Sequence, residues 1–223
     1  MTNFRKVLVD CSQVTKTPRG MGLYTIDLAR SLNSQKSLLL VFRDSKDNRQ
    51  LHKSLKLNAE AIFIPLPQIL IEQIFIPLLI IYYRVEVYVT VGDSVSILGC
   101  RLCTTFLLLH DIYFTKPVDL RSYSIKRRLA RWYRFLTVSC CIHNCDKIIT
   151  VSNYMKKQIL KRYKKVSDDK LYIIPNILRF EKTKCPKKNR DVLLVTGSDP
   201  QKNANWAIYL LSKLKDEIGN IYV

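Results

Sequence analysis

Short apolar runs recur along the chain at residues 6–10, 37–42, 61–64, 85–91, 105–110, 146–151, 170–174 and 191–196. Continuous apolar runs of this length are how strands buried on both faces read. Helical patterns lie between most of them. In residues 23–32, Thr25, Leu28, Ala29 and Leu32 share a face. In residues 122–136, Ile125, Leu129, Trp132 and Leu136 fall in register, with Lys126, Arg127, Arg131 and Arg134 on the other side. A third helix is predicted to start at Ser152, a good N-cap, and to carry Met155, Ile159 and Tyr163. Strands alternating with helices predict an α/β fold with a parallel sheet covered on both faces.

Residues 61–83 contain no Lys or Arg and are long enough for a membrane span. Pro65, Pro67, Pro77 and the central Glu72-Gln73 argue against one. The pattern predicts a strand at 61–64, a turn through the two prolines, and a mostly buried helix, with a membrane-dipping helix as the alternative. Trp132 and Tyr133 read as core or interface aromatics. After Pro175-Asn176 the character changes. Residues 177–190 read as a linker, with lysines at 182, 184, 187 and 188. A second unit opens at 191 with a strand, a glycine turn, a helix to about residue 214, and the start of a strand at 220–223. One strand, one helix and half a strand cannot bury a core alone. The predicted organisation is a domain at 1–176, a linker at 177–190 and the start of a second domain at 191–223.

Charge sharpens the picture. The net charge is +19, and residues 116–165 hold 14 Lys or Arg against two acids. Such a patch either faces an anionic partner or is simply a solvated basic surface. Nucleic acid is disfavoured, because aromatics are not interleaved with the basic residues and no docking motif occurs. No secretory signal precedes the seven cysteines, so a reduced, cytoplasmic setting is expected. Cys100 with Cys103, and Cys140, Cys141, His143 and Cys145, raise the question of zinc. The second group lacks the C-x-x-C spacing, and buried apolar cysteine is the expectation, with no metal.

Three places carry candidate chemistry. Gly20-Met21-Gly22 sits between strand one and its helix, where the backbone turns tightly and amides face a ligand. His110-Asp111 follows the strand at 105–110, on the edge where open α/β sheets bind ligands. A neutral imidazole there serves a substrate hydroxyl or fixes the following loop. Gly197-Ser198 and Lys202 lie between a strand and a helix start, an arrangement suited to a diphosphate.

In order, these pieces resemble glycosyltransferase family 4, retaining enzymes of the GT-B fold. Residues 19–25 resemble the family's G-I-G-R-Y-T loop. Glu72-Gln73 with Pro77 resembles the E-Q-x-x-x-P helix of a polysaccharide-building, O-antigen-type branch. Leu109-His110-Asp111 resembles V-H-D, and residues 146–152 resemble A-D-x-I-I-T-V-S. Asp169-Lys170 with Ile174-Pro175-Asn176 resembles D-K-I-x-V-I-P-N-G, and residues 197–203 resemble G-S-x-x-P-R-K-N. Ile177 stands where the family has glycine, and Gln201 where it often has arginine. The family's E-x-x-x-x-x-x-x-E segment, which holds the donor's ribose and sugar, is absent from these 223 residues.

The resemblance implies a Rossmann-like, acceptor-side N-terminal domain and the first βα unit of a donor-binding domain. It implies a nucleotide-diphosphate sugar as substrate, a lipid-linked or oligosaccharide acceptor, and no cofactor or metal. Lys202, with amides near Gly197 and Ser198, would hold the diphosphate. Gly20 and Gly22 would line the cleft, and His110 would lie near the transferred sugar. Asp111 and Ser152 are expected to support loops or caps. No Asp or Glu is placed as a base, which suits a front-face mechanism. Lys126, Arg127, Arg128, Arg131 and Arg134 beside Trp132 would suit an anionic lipid surface. The expectation is a glycosyltransferase of surface polysaccharide assembly, truncated and inactive alone. A non-catalytic acceptor- or membrane-binding protein is the alternative.

Overall fold

The computed structural model describes residues 6–15, 20–33, 37–115, 124–176, 192–193, 204–214, 219 and 221–222. The chain divides into two compact units, Met1–Ile177 and Leu178–Val223.

The first unit is built on seven strands: β1 Val7–Asp10, β2 Leu38–Arg43, β3 Glu60–Ile64, β4 Val87–Thr90, β5 Thr104–Leu109, β6 Lys147–Thr150 and β7 Leu171–Ile173. All pair in parallel, in the order β3-β2-β1-β4-β5-β6-β7. β1 and β4 are buried along their whole length, because helices cover both faces. Helices α1 Met21–Ser31 and α2 Lys46–Leu55 cover one face, over Val9, Leu40, Phe42, Val89 and Leu108. The other face carries Leu8, Leu39, Val41, Tyr88 and Leu107. Over it lie α3 Gln68–Leu70, a π turn at Ile71–Phe75, α4 Ile76–Tyr83, α5 Gly99–Leu102, α6 Ile125–Cys141 and α7 Asn153–Arg162. Alternate strand residues enter opposite cores, as the pleat requires. The expected Rossmann-like parallel sheet is therefore the fold of this unit.

The sequence pattern overlooked α2, whose apolar face is only Leu51 and Leu55. Its start is set locally: Ser45 Oγ accepts from Asn48 N at 3.0 Å, and Asn48 Nδ2 donates to Arg43 O at 2.8 Å.

One expectation about burial fails. The helix after Pro67 is only half buried: Ile71, Ile76 and Ile80 enter the core, while Ile74, Leu78 and Ile81 are exposed. Of the two alternatives for Trp132, core or interface, the core one is excluded. Trp132 is 60% exposed, beside exposed Ile125 and Leu129, because α6 packs chiefly through its C-terminal part at Thr137, Val138 and Cys141.

Residues 71–75 form a π turn one turn ahead of Pro77, where the missing proline N–H would interrupt a regular helix. This turn holds Glu72 and Gln73. Glu72 is 1% exposed and accepts hydrogen bonds from Tyr133 Oη at 2.6 Å, from Ser94 Oγ at 2.8 Å and from the Gln68 amide. Gln73 donates to Val95 O at 3.0 Å and to Tyr133 Oη at 2.8 Å, and accepts from Ile97 N at 3.0 Å. The Glu-Gln pair thus clamps α6 and the segment after β4 onto one helix.

The second unit contains a βαβ element. β8 Val192–Leu193 pairs in parallel with β9 Ile221–Tyr222, with α8 Ala204–Lys213 between them in sequence. Trp206 and Tyr209 on α8 are exposed.

Truncating Glu72 strands the half-buried Tyr133 hydroxyl and the buried Ser94 hydroxyl. Glu72→Ala is expected to cost about 3 kcal/mol, read as a lower urea midpoint at unchanged slope. A loss of about 0.5 kcal/mol or less, the range of ordinary surface changes, would show that the clamp contributes little.

Candidate active site

β1 and β4 end level, with Asp10 opposite Thr90, and β5 and β6 end level with each other two residues further on, Thr90 pairing with Leu107 and Leu109 with Thr150. The chain winds outward from β1 through β2 to β3 and resumes at β4 on the other side of β1. Loops leaving β1 and β4 therefore head for opposite faces and leave a crevice between them, as in other open α/β sheets.

From the β1 side comes the glycine turn. Gly20 has φ +48° and ψ −110°, a conformation costly for any residue with a Cβ. A Cβ built there meets nothing within 4 Å, so the demand is for backbone conformation and not for space. The turn feeds α1, which has no side-chain cap and no acidic residue in its first turn. Its positive end therefore stays available for an anion. A small cleft of about 90 Å³ opens here, lined by Asp10, Gln13, Thr15, Met21, Gly22 and Thr25.

Gln13 bridges the crevice floor, donating to Gly92 O at 2.7 Å and Ser94 Oγ at 3.2 Å. A Cβ on Gly92 would lie 1.7 Å from the Gln13 amide nitrogen, so a larger residue there would push the Gln13 side chain out of this crossing. Asp93 follows at φ 53°, an uncommon backbone for a non-glycine residue. Its Oδ1 accepts from His110 N at 3.0 Å and so fixes the turn that leaves β5.

His110 stands where the sequence places it, at the end of β5. Its Nε2 is buried and has no hydrogen-bond partner among the described residues. The ring meets Tyr24 of α1 edge-on, with centroids 4.8 Å apart at 89°. Tyr24 Oη in turn donates to Ile174 O at 3.3 Å, tying α1 to the segment after β7. Burial pushes the imidazole pKa down, only partly offset by the Asp111 carboxylate, so His110 favours the neutral form. A neutral ring with a free nitrogen can accept or donate one hydrogen bond to a ligand hydroxyl.

Asp111 Oδ1 accepts from Tyr113 N at 2.9 Å and shapes the loop after His110. Ser152 Oγ accepts from Met155 N at 3.2 Å and caps α7. Gly197, Ser198 and Lys202 lie outside the described residues. The basic residues of α6 do not act as one set. Lys126, Arg127 and Arg128 are exposed, whereas Arg131 and Arg134 are partly buried. Arg131 lies over the Tyr113 ring at 5.0 Å, and the charge of Arg134 is felt by Asp93. Among the described residues no group of three His, Cys, Asp or Glu is arranged to hold a metal ion.

Sequence reasoning missed two buried carboxylates at this edge. Asp10 is pushed up to about 7 by burial and then by the neighbouring Glu72 carboxylate, against the pull of Ser12, whose amide reaches Asp10 Oδ1 at 2.9 Å. Asp93 is likewise pushed up to about 7, by burial and then by Asp111. The only local signals are strand-end positions and, for Asp93, the preceding glycine.

The model of Glycosyltransferase Family 4 matches residues 18–181. No curated protein matches by sequence. The crystal structure of Anabaena HepE in complex with UDP and glucose is 13% identical, with a TM-score of 0.65 over 98% of this chain and 62% of HepE. The same protein in complex with UDP alone is 13% identical and matches with a TM-score of 0.50, over 77% of this chain and 44% of HepE. This chain therefore spans less than two thirds of the structure it resembles, and the likeness is one of fold.

Folded Asp10 and Asp93 keep their protons to about pH 7, whereas the ordinary value for the unfolded chain is 3.8. Between those values the folded chain binds more protons, so these two groups make stability fall as pH rises, with no further change above about 7. Asp93→Asn keeps an oxygen for the His110 amide and is expected to flatten that fall. Urea titrations from about pH 4 to about pH 8 measure it. Parallel stability curves for the two proteins would overturn the assignment.

Proposed function

The chain belongs to Glycosyltransferase Family 4, and on that premise we propose that it serves transfer of a sugar from a nucleotide-diphosphate donor to a glycan acceptor, with retention at the anomeric carbon. The observation that carries this reading is the free imidazole nitrogen of His110, held by Tyr24 beside the uncapped N-terminus of α1. HepE binds UDP and glucose, which supports a UDP-sugar as the donor class to try first.

The leaving group is a diphosphate, and its departure is helped most by fixed positive potential. Amides at Gly20 and Gly22 supply it in the first unit, and the sequence resemblance gives Gly197, Ser198 and Lys202, which lie outside the described residues, the same diphosphate-holding role. His110 binds a hydroxyl of the transferred sugar. Neither Asp10 nor Asp93 is a strong base in the ionised sense, because burial favours their protonated forms below about pH 7. The leaving phosphate accepts the proton of the acceptor hydroxyl on the same face, which gives retention.

The acceptor is a lipid-linked glycan of cell-surface polysaccharide assembly, met at the inner face of the cytoplasmic membrane. No helix among the described residues is long and apolar enough to cross a membrane. Support for peripheral binding comes from α6, where exposed Ile125, Leu129 and Trp132 sit among exposed Lys126, Arg127 and Arg128. On the same face of the sheet α4 exposes Leu78, Ile81 and Tyr82. Apolar side chains enter the headgroup boundary while the cations meet anionic lipid.

Two measurements test these readings. Calorimetry with UDP- and GDP-sugars is expected to show donor binding, weakened on the order of tenfold in Gly20→Val through backbone strain. Absence of binding to any of them would favour a non-catalytic acceptor- or membrane-binding protein. Sedimentation with vesicles is expected to pellet the chain on phosphatidylglycerol-containing bilayers and not on phosphatidylcholine alone, and Leu129→Ser with Trp132→Ser should release it. Equal pelleting on both lipids would overturn the membrane reading.

A further inference from the structure

A second cleft, of about 480 Å³, opens at the same edge of the sheet, on the β2 side of the crevice. Its walls are the segment after β1, the turn between β2 and α2, and the start of α3. Gln13 and Thr15 line it with Arg43, Asp44, Asp47 and Gln68. Gln13 and Thr15 also line the small cleft at the N-terminus of α1, so the two clefts share a wall. The volume falls within the roughly 300–1,000 Å³ usual for small-ligand sites. None of these residues belongs to the segments that carry the family resemblance.

The polar side chains of this cleft are tied from behind. Gln13 donates to Gly92 O at 2.7 Å and to Ser94 Oγ at 3.2 Å. Gln68 donates to Glu72 and, at 3.3 Å, to the same Ser94 hydroxyl. Asp44 accepts from Arg49 Nε at 2.7 Å and Nη2 at 3.0 Å, and the Arg49 guanidinium is seated over the Phe63 ring at 4.8 Å. Buried Asn48 fixes the turn between β2 and α2 through its bond to Arg43 O. Side chains held in this way lose little freedom when a ligand arrives. Ser12 adds an unmet demand. It is 5% exposed and lines the cleft, and its Oγ has no hydrogen-bond partner among the described residues. Buried hydroxyls are ordinarily paired, because leaving one unpaired is costly.

Charge narrows the ligand class. The chain carries a net +19, yet Asp44 and Asp47 offset Arg43 and Arg49 here, so a phosphate or carboxylate gains no net attraction. The cleft instead sets carboxylate oxygens beside hydroxyl and guanidinium hydrogens. A sugar hydroxyl both donates and accepts, so a pyranose ring can meet both kinds of group.

We propose that this cleft binds a neutral pyranose ring, the sugar at the acceptor end of the glycan. Its assignment to the acceptor rests on the sugar-transfer reading, which puts the donor diphosphate at the N-terminus of α1. The shared wall at Gln13 and Thr15 then brings the two sugars side by side. Asp44 and Asp47 accept from ring hydroxyls, and Arg43 and Thr15 donate to them.

The test is nitrogen–proton correlation spectroscopy of the intact chain. The probes are the methyl glycosides of glucose, galactose, mannose and N-acetylglucosamine, with methyl glucuronide as the anionic comparison. At least one neutral glycoside is expected to shift amides at 12–15, 43–48 and 68. Asp44→Ala should weaken that binding on the order of tenfold, through loss of a charged acceptor, and Ser12→Ala by less. In both variants the signals of the other strands should stay in place, which shows that the fold is kept. The proposal falls if no neutral glycoside shifts those amides, if the shifts lie elsewhere, if neither substitution weakens binding, or if the glucuronide binds more tightly than every neutral probe. Calorimetry with UDP-sugars on the same sample separates the two readings. Donor binding without glycoside shifts removes the cleft assignment alone. Glycoside shifts without donor binding keep the pyranose site and remove its part in sugar transfer.

Discussion

Parallel strands cannot turn straight back on one another. Each crossover must carry the chain across a face of the sheet, which leaves both faces covered and all backbone pairing between strands distant in sequence. Here that winding reverses between β1 and β4, neighbours in the sheet that lie 80 residues apart in register, Val7 beside Val87. The reversal sends the loop after β1 toward α1 and the loop after β4 toward α5. Only because those loops diverge is there a crevice for Gly20, Gln13, Asp93 and His110 to share.

The crevice is held open by groups that are expensive to bury. Asp10, Glu72 and Asp93 are all 6% exposed or less. Each is kept by hydrogen bonds it accepts: from Ser12 at Asp10, from Tyr133 and Ser94 at Glu72, and from the His110 amide at Asp93. Buried carboxylates of this kind subtract from stability unless fully bonded. Their clustering under one end of the sheet, with the left-handed backbone at Asp93 and the free His110 nitrogen, is the pattern of a site that gives up stability for geometry.

The two ends of α6 do different work. Its C-terminal turns are core, through Val138 and Cys141, and Tyr133 reaches the Glu72 clamp. Its N-terminal turns leave the core and present apolar and basic residues to solvent together. An apolar stripe on a helix is ordinarily a core face. Here the stripe continues past the end of the sheet, where nothing described in this unit covers it.

Much was legible in the sequence wherever the information is local. Buried parallel strands appear as apolar runs, Ser152 and Met155 make a cap within three residues, and Gly20 announces a turn that other residues resist. His110 could be placed at a strand end by counting from the run before it. Relations across the fold were not legible. Tyr133 and Glu72 are 61 positions apart, and Asp93 and His110 are 17 apart. The protonation of Asp10 depends on burial first and then on Glu72, which lies in the π turn far along the chain, and the start of α2 is set by Ser45 and Asn48 and not by apolar repeats. The sequence by itself determined the alternation of strands and helices and the glycine and histidine at the ligand edge, because period and turn chemistry act between near neighbours. The tertiary structure alone decided which apolar stripe is core and which carboxylates hold protons, because burial and charge depend on what packs against a residue and not on what precedes it.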